Sequence, residues 1–245
     1  MQKILLTGAA GGIGTAFYQA RADLYQFRLA DRTTQNIEVR SPDHEVLKFD
    51  IADLAACQQA CRDVDVVVHL AADPSPSADF HASLLNNNIV GTYNIFQAAK
   101  DQGCRRVVYA SSVQAVEGYP VDVQARADMP VRPQNMYGAT KCFGEAVGSV
   151  FAKQGLSVIA VRIGAFDAVK AGQPNTARNI SAYVSPRDLV DLLDRCIQVA
   201  DVGYAIAHGV SNNRFKRLDL THTQALLGYQ PQDDGFELTG YDLRG

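Results

Sequence analysis

The 245-residue chain has no apolar run approaching the ~20 residues of a membrane-spanning helix. It also lacks a basic excess. A net charge of −3 gives no footprint for nucleic acid or for an anionic membrane surface, so neither is expected as a partner. Five cysteines, at 57, 61, 104, 142 and 196, form no CxxC pair, and their odd number does not make a disulfide framework. A reducing cytoplasm suits such a set. Cys57 and Cys61, one helical turn apart, read as small buried or half-buried residues. The histidines are scattered, with no HExxH and no Cys/His cluster, so no metal centre is expected. His69, inside the apolar run Val66–Leu70, reads as a hydrogen-bonded core residue. Repeats and low-complexity linkers are missing too, which predicts one compact unit over 1–245.

What is present begins at the N-terminus. Gln2–Thr7 reads as a buried strand rather than a signal peptide, because its short apolar run ends in glycines. Gly8, Gly11 and Gly14 follow with GxxGxxG spacing, and a helix continues to about Ala22. Such glycines permit a tight turn, close approach of backbone to a pyrophosphate, and close packing of helix on sheet. The helix N-terminus offers N–H groups and a positive dipole end to phosphates. Gly8, Gly11, Gly12, Ile13 and Gly14 are therefore expected at a dinucleotide. A second strand, Phe27–Ala30, ends in Asp31-Arg32, about 20 residues on, where a ribose 2′-hydroxyl is held. Asp31 repels a 2′-phosphate while Arg32 tolerates one, and the balance favours NAD over NADP.

Further strands are predicted at Val46–Phe49, Val64–Leu70, Arg106–Ala110, Ser157–Ile163 and Tyr204–His208. Helices are predicted at 52–61, 78–102, 137–154, 186–199 and 221–227. Alternation of this kind specifies an α/β fold, a doubly wound parallel sheet of Rossmann type, whose ligands sit at the carboxyl ends of the strands. Asp50 and Ile51 are expected at an adenine edge, and Leu70, Ala71, Ala72 and Ile163 beside the cofactor. Asparagine is a poor helix former, so the run 86–88 needs a reason; Asn88 is expected to brace backbone and to contact the cofactor. Residues 1–164 read as the NAD-binding core. Segments 165–182 and 209–245 read as a small substrate cap.

Tyr137 and Lys141 fall one helical turn apart on one face, just beyond Pro133. An ammonium beside a phenol favours the phenolate, so the Tyr137 pKa is expected to fall towards the working pH and make a general base. Ser112, after the fifth strand, completes a catalytic set of Ser112, Tyr137 and Lys141.

With TGAAGGIG at 7–14, SS at 111–112, YGATK at 137–141 and LGYQP at 227–231, the chain resembles the extended short-chain dehydrogenase/reductase superfamily over nearly its whole length. HLAADPSP, NNNIVGTYN, YGATKCFGE, VRIG and GVSNNR resemble a subgroup of short members, the uronate dehydrogenases and the archaeal sugar and glucose-6-phosphate dehydrogenases. That resemblance implies hydride transfer to NAD from C1 of a hexuronate, giving an aldarolactone. In it Ser112 hydrogen-bonds the reacting oxygen, Tyr137 takes the proton, and Lys141 holds a ribose hydroxyl as well as tuning the phenol. It implies that Arg178 meets the substrate carboxylate; Ser75 and Ser77 are candidates for contacts to sugar hydroxyls. The subgroup has Asn-His after the second serine where this chain has Val113-Gln114, a change expected to alter the substrate contact. A guanidinium suits phosphate as well as carboxylate, so a sugar-phosphate (glucose 6-phosphate) dehydrogenase is the alternative, followed by an epimerase or dehydratase and by a non-catalytic NAD sensor. A homo-oligomer through paired helices 78–102 and 134–154 is common in the families it resembles.

Overall fold

The computed structural model describes residues 1–173 and 175–241. Pro174 and residues 242–245, which the sequence reading assigns to the cap, lie outside the described residues.

Seven strands form one parallel sheet: β1 (Lys3–Thr7), β2 (Gln26–Asp31), β3 (Glu45–Lys48), β4 (Val66–His69), β5 (Arg106–Ser112), β6 (Ser157–Ile163) and β9 (Tyr204–Gly209). Their spatial order is β3-β2-β1-β4-β5-β6-β9, and every neighbouring pair is parallel. The chain winds outward from β1 in one direction and then from β4 in the other. The topological switch point therefore lies between β1 and β4.

Alternation along the central strands divides the core in two. Ile4, Leu6, Val66 and Val68 face one side of the sheet, where α1 (Gly12–Arg21) supplies Phe17 and α6 (Pro186–Gln198) supplies Leu189 and Leu193. Leu5, Val67, Val107 and Tyr109 face the other, against α2 (Leu54–Cys61), α3 (Gly91–Asp101) and α4 (Met136–Ala152). Both faces are covered, which explains why these strands read as continuous apolar runs rather than alternating ones. Cys57 and Cys61 are buried in the second layer.

The helix predicted over 78–102 is two structures. Residues Phe80–Val90 form a wide-turn π-helical segment, with Asp79 accepting the Ala82 N–H at 2.7 Å as its N-cap, and α3 continues from Gly91. Backbone bonds of the i→i+5 type, Leu84 N to Asp79 O and Gly91 N to Asn86 O, mark its start and its end. The three asparagines fall inside this stretch. Gly91 caps its end, and a Cβ there would stand 2.5 Å from the Ile51 side chain.

Beyond β6 the elements are short. Two-residue strands β7 (Ala165–Phe166) and β8 (Tyr183–Val184) pair in parallel, with α5 (Ala177–Ser181) between them. After α7 (Thr221–Leu227), the five-residue α8 (Gly235–Thr239) packs on α5 around Val169, Ile180, Tyr183 and Phe236. No helix among the described residues is long and apolar enough to cross a membrane.

Candidate active site

A cavity of about 570 Å³ opens along the carboxyl ends of the strands. Its lining runs from Gly8, Gly11, Gly12, Ile13 and Gly14 through Asp31, Arg32, Ile51, Leu70, Ala71 and Ala72 to Ser112, Val113, Gln114, Tyr137, Lys141, Ile163 and Arg178. The glycine loop is built for close approach. Gly8 has φ +73°, and a Cβ there would stand 2.8 Å from the Ala71 nitrogen. At Gly14 an added Cβ would stand 2.3 Å from the Gly8 carbonyl oxygen, so α1 can seat against the loop only without one. Among the described residues no side chain caps the N-terminus of α1, whose capping residue is Gly11, and its first N–H groups are open to a ligand. Asp31 Oδ2 accepts the Ala10 N–H at 3.1 Å and Oδ1 the Thr33 N–H at 3.1 Å, which fixes the carboxylate at the end of β2.

Three strands away, α4 carries Tyr137 and Lys141 beneath the end of β5. Asn135 caps this helix, accepting the Gly138 N–H at 2.8 Å through Oδ1, while its amide nitrogen donates to Gln114 Oε1 at 2.9 Å. The turn Val113–Val116 after Ser112 is thereby tied to the start of α4. Gly138 permits the contact, since a Cβ would lie 2.5 Å from the Gln114 carbonyl oxygen.

The electrostatics differ from the sequence expectation. Lys141 Nζ donates to the Ala110 carbonyl at 2.9 Å and lies 5.5 Å from the Tyr137 ring centroid. Burial pushes the Tyr137 phenol above its ordinary value, a hydrogen bond with Ser112 pulls it down, and the Asp73 carboxylate pushes it up again. The expected fall is thus overturned for this arrangement, because desolvation of a phenolate outweighs a cation already engaged elsewhere. Lys141 is itself lowered to about 8 by burial. Behind it, His69 Nδ1 hydrogen-bonds Thr7 Oγ1 at 2.7 Å, and burial lowers this imidazole to about 3, a neutral core histidine.

A family model described as the NAD dependent epimerase/dehydratase family matches residues 4–186. The chain belongs to that family. NAD is its cofactor. Over 97% of its length it is 36% identical to an NAD-dependent glucose-6-phosphate dehydrogenase of Haloferax volcanii, covering 96% of that protein. It is 34% identical to a uronate dehydrogenase of Pseudomonas putida, over 94% of this chain and 84% of the relative. Among solved structures, a tyrosine-to-alanine mutant of the Agrobacterium tumefaciens uronate dehydrogenase complexed with NAD superposes with a TM-score of 0.86. It is 31% identical and is matched over all of this chain and 92% of that one.

Within this family member, several residues expected at the cavity lie elsewhere. Asn88 is buried behind the wall, donating to the Asp73 carbonyl and to Thr140 Oγ1, both at 3.1 Å, and accepting the Asp73 N–H at 2.8 Å. It braces the loop after β4 against α4, and the neighbour that lines the cavity is Asn87. Asp50 turns back to accept the Ala52 N–H, leaving Phe49 and Ile51 at the surface of the cavity. Ser75 bonds Ser77 at 3.0 Å outside the lining, where Pro74 stands instead. Of the two expected cap segments, 165–182 supplies Ala165, Phe166 and Arg178 to the lining, while 209–241 supplies none of it. The latter buttresses from behind: Asn213 donates to the Ser181 and Tyr183 carbonyls and accepts the Gly235 N–H.

Arg178 is not a free cation. Its Nε donates to Glu117 Oε1 at 2.9 Å and its Nη2 to Glu117 Oε2 at 2.6 Å. Nothing local in the sequence marks Glu117, because its partner is 61 residues away.

Proposed function

We propose that this NAD-dependent dehydrogenase, which acts on a CH–OH group, oxidises the anomeric hydroxyl of a hexuronate to the aldarolactone through Ser112, Tyr137 and Lys141. The observation that carries this reading is the meeting of those three side chains, from β5 and α4, in one cavity with the glycine loop and, from α5, the Arg178 guanidinium.

The glycine loop fits the pyrophosphate of NAD, with Asp31 in place for a ribose hydroxyl; when bound, the cofactor accepts the hydride released from C1. The protein's own share is proton handling and placement. Tyr137 Oη takes the proton of the C1 hydroxyl as the C1–O bond becomes a carbonyl. Ser112 Oγ, held at the start of its turn by the Gln114 N–H at 3.2 Å, donates to the reacting oxygen. Lys141, tied to Ala110, supplies the positive charge that a developing phenolate needs in so buried a place. Arg178 receives the substrate carboxylate through its remaining N–H groups, and Gln114 replaces part of the hydrogen bonding lost with Val113.

The test is NAD reduction followed optically with galacturonate, glucuronate, glucose, arabinose, glucose 6-phosphate and a nucleotide sugar. Turnover highest on a uronate is expected. Turnover confined to a neutral or phosphorylated sugar overturns the hexuronate reading.

A further inference from the structure

The guanidinium of Arg178 has five N–H groups. Two are held side-on by Glu117, and a third, on Nη1, meets Asn179 Oδ1 at 3.0 Å. One N–H on each terminal nitrogen has no partner among the described residues. Both residues of the pair are largely shielded, the side chains being 29% exposed for Arg178 and 15% for Glu117.

Each partner is anchored by its own scaffold. Thr176 caps α5, accepting the Asn179 N–H at 3.2 Å, and the Ser181 hydroxyl donates to the Arg178 carbonyl at 2.9 Å. Glu117 ends the turn after Ser112. Its carbonyl accepts from Arg217 Nη2 at 3.2 Å, and the next residue, Gly118, donates its N–H to the Arg132 carbonyl at 2.7 Å. A Cβ on Gly118 would stand 2.6 Å from that carbonyl oxygen. The ion pair is therefore held from both scaffolds, with Arg178 in the lining and Glu117 bonded to it, rather than a chance meeting of two surface side chains.

Its consequence is a charge count. The pair sums to zero, and two donors of Arg178, a residue of the cavity lining, have no partner among the described residues. The other cations in the lining are Arg32, at the end of β2, and Lys141, bonded to Ala110. No second positive charge among the described lining residues stands at the Arg178 side. A carboxylate, with one charge and two oxygens in a plane, matches two N–H groups. A phosphate monoester brings close to two negative charges and three oxygens next to the Glu117 carboxylate, in a partly desolvated place where like charges repel strongly.

We propose that Glu117 is a specificity-determining residue: by neutralising and orienting Arg178 it admits a singly charged sugar acid and turns away a sugar phosphate. This rests on the reading of Arg178 as the acid contact. It names a selectivity device that the catalytic set does not contain.

The experiment uses the full chain with saturating NAD and a Tyr137→Phe background, so that binding is read by calorimetry without turnover. Glucuronate, glucose, glucose 6-phosphate and inorganic phosphate are the probes. In the parent, glucuronate is expected to bind at least ~10-fold tighter than glucose 6-phosphate. Glu117→Gln keeps the shape and removes the charge. It should tighten glucose 6-phosphate and inorganic phosphate ~10-fold while leaving glucose unchanged. Adding Arg178→Gln to Glu117→Gln should abolish that gain, which separates a charge effect from a loosened loop. An unchanged ratio of glucuronate to glucose 6-phosphate in Glu117→Gln overturns the proposal, as does a parent that already prefers the phosphate. If no uronate binds but Glu117→Gln still gains phosphate affinity, the exclusion by Glu117 stands and the hexuronate reading alone falls.

Discussion

Lys141 Nζ and the Ala110 carbonyl oxygen are 2.9 Å apart, and this bond holds the ammonium on β5 instead of on the phenol of Tyr137. Lys141 is 4% exposed, so its charge is carried inside the protein at a cost. Burial lowers its pKa from 10.5 to about 8. Between those values the unfolded chain binds more protons than the folded one, so this group makes stability rise with pH across the window. Below about 8 the penalty is full, at most roughly 3 kcal/mol at ~1.4 kcal/mol per unit. Lys141→Met has no such dependence. The difference in melting temperature, variant minus wild type, should fall as pH is raised from about 7 to about 9.5, and a flat difference would reject the buried ammonium.

Tyr137→Phe keeps the ring and removes the acid. Turnover on the best sugar should fall by roughly 10³, within the range of a lost general base. Calorimetry should find NAD affinity within about twofold of wild type, since the glycine loop and Asp31 are untouched. Near-normal turnover in this variant would end the role given to the phenol.

Asp31 is expected to set the dinucleotide preference. Replacing it with serine removes the carboxylate that meets the Ala10 N–H and that would repel a 2′-phosphate, with Arg32 left beside it. NAD should bind about 10-fold weaker and NADP tighter than in wild type, a loss of roughly 1.4 kcal/mol for NAD. Dissociation constants for both dinucleotides, measured on the same preparation, decide it.

The glycines can be separated by what surrounds them. In Gly14→Ala the new methyl stands 2.3 Å from the Gly8 carbonyl oxygen, whereas in Gly203→Ala nothing lies within 4 Å. Urea unfolding should place Gly14→Ala about 1–3 kcal/mol below wild type, as overpacking does. Gly203→Ala should stay within ~0.5 kcal/mol. Equal losses would mean that the loop yields more readily than its packing implies.

How much of this was legible in the sequence follows from how local each signal is. The strands of the parallel sheet announce themselves as apolar runs because both faces are covered, and Gly8, Gly11 and Gly14 state their turn within seven residues. Tyr137 and Lys141 are a turn apart on one helix, so their shared face is a matter of period. Their titration was not legible, because desolvation depends on how the whole core closes over them. Strands of two residues, β7 and β8, and helices of five, α5 and α8, are shorter than any hydrophobic period can mark. The asparagine run asked for a reason and Asn88 was expected to brace backbone, but 78–102 read as one continuous helix, and neither the wide turns nor the partners Asp73 and Thr140 were legible. Glu117 was silent, since its meaning lies in an arginine from a different segment.

Arg217 donates to the carbonyls of Pro120, Val123, Glu117 and Tyr119, residues 94 to 100 positions earlier. The two ends of the cavity consequently differ in when they can be completed as the chain is made. The nucleotide end is lined by the ends of β1 to β4 and the segments that follow them, with α6 covering that face of the sheet from behind. The sugar end waits for residue 217 to arrive and lock the turn behind Ser112. Partly unfolded molecules that lose only the segment after α6 would therefore keep the glycine loop while having no defined place for a sugar.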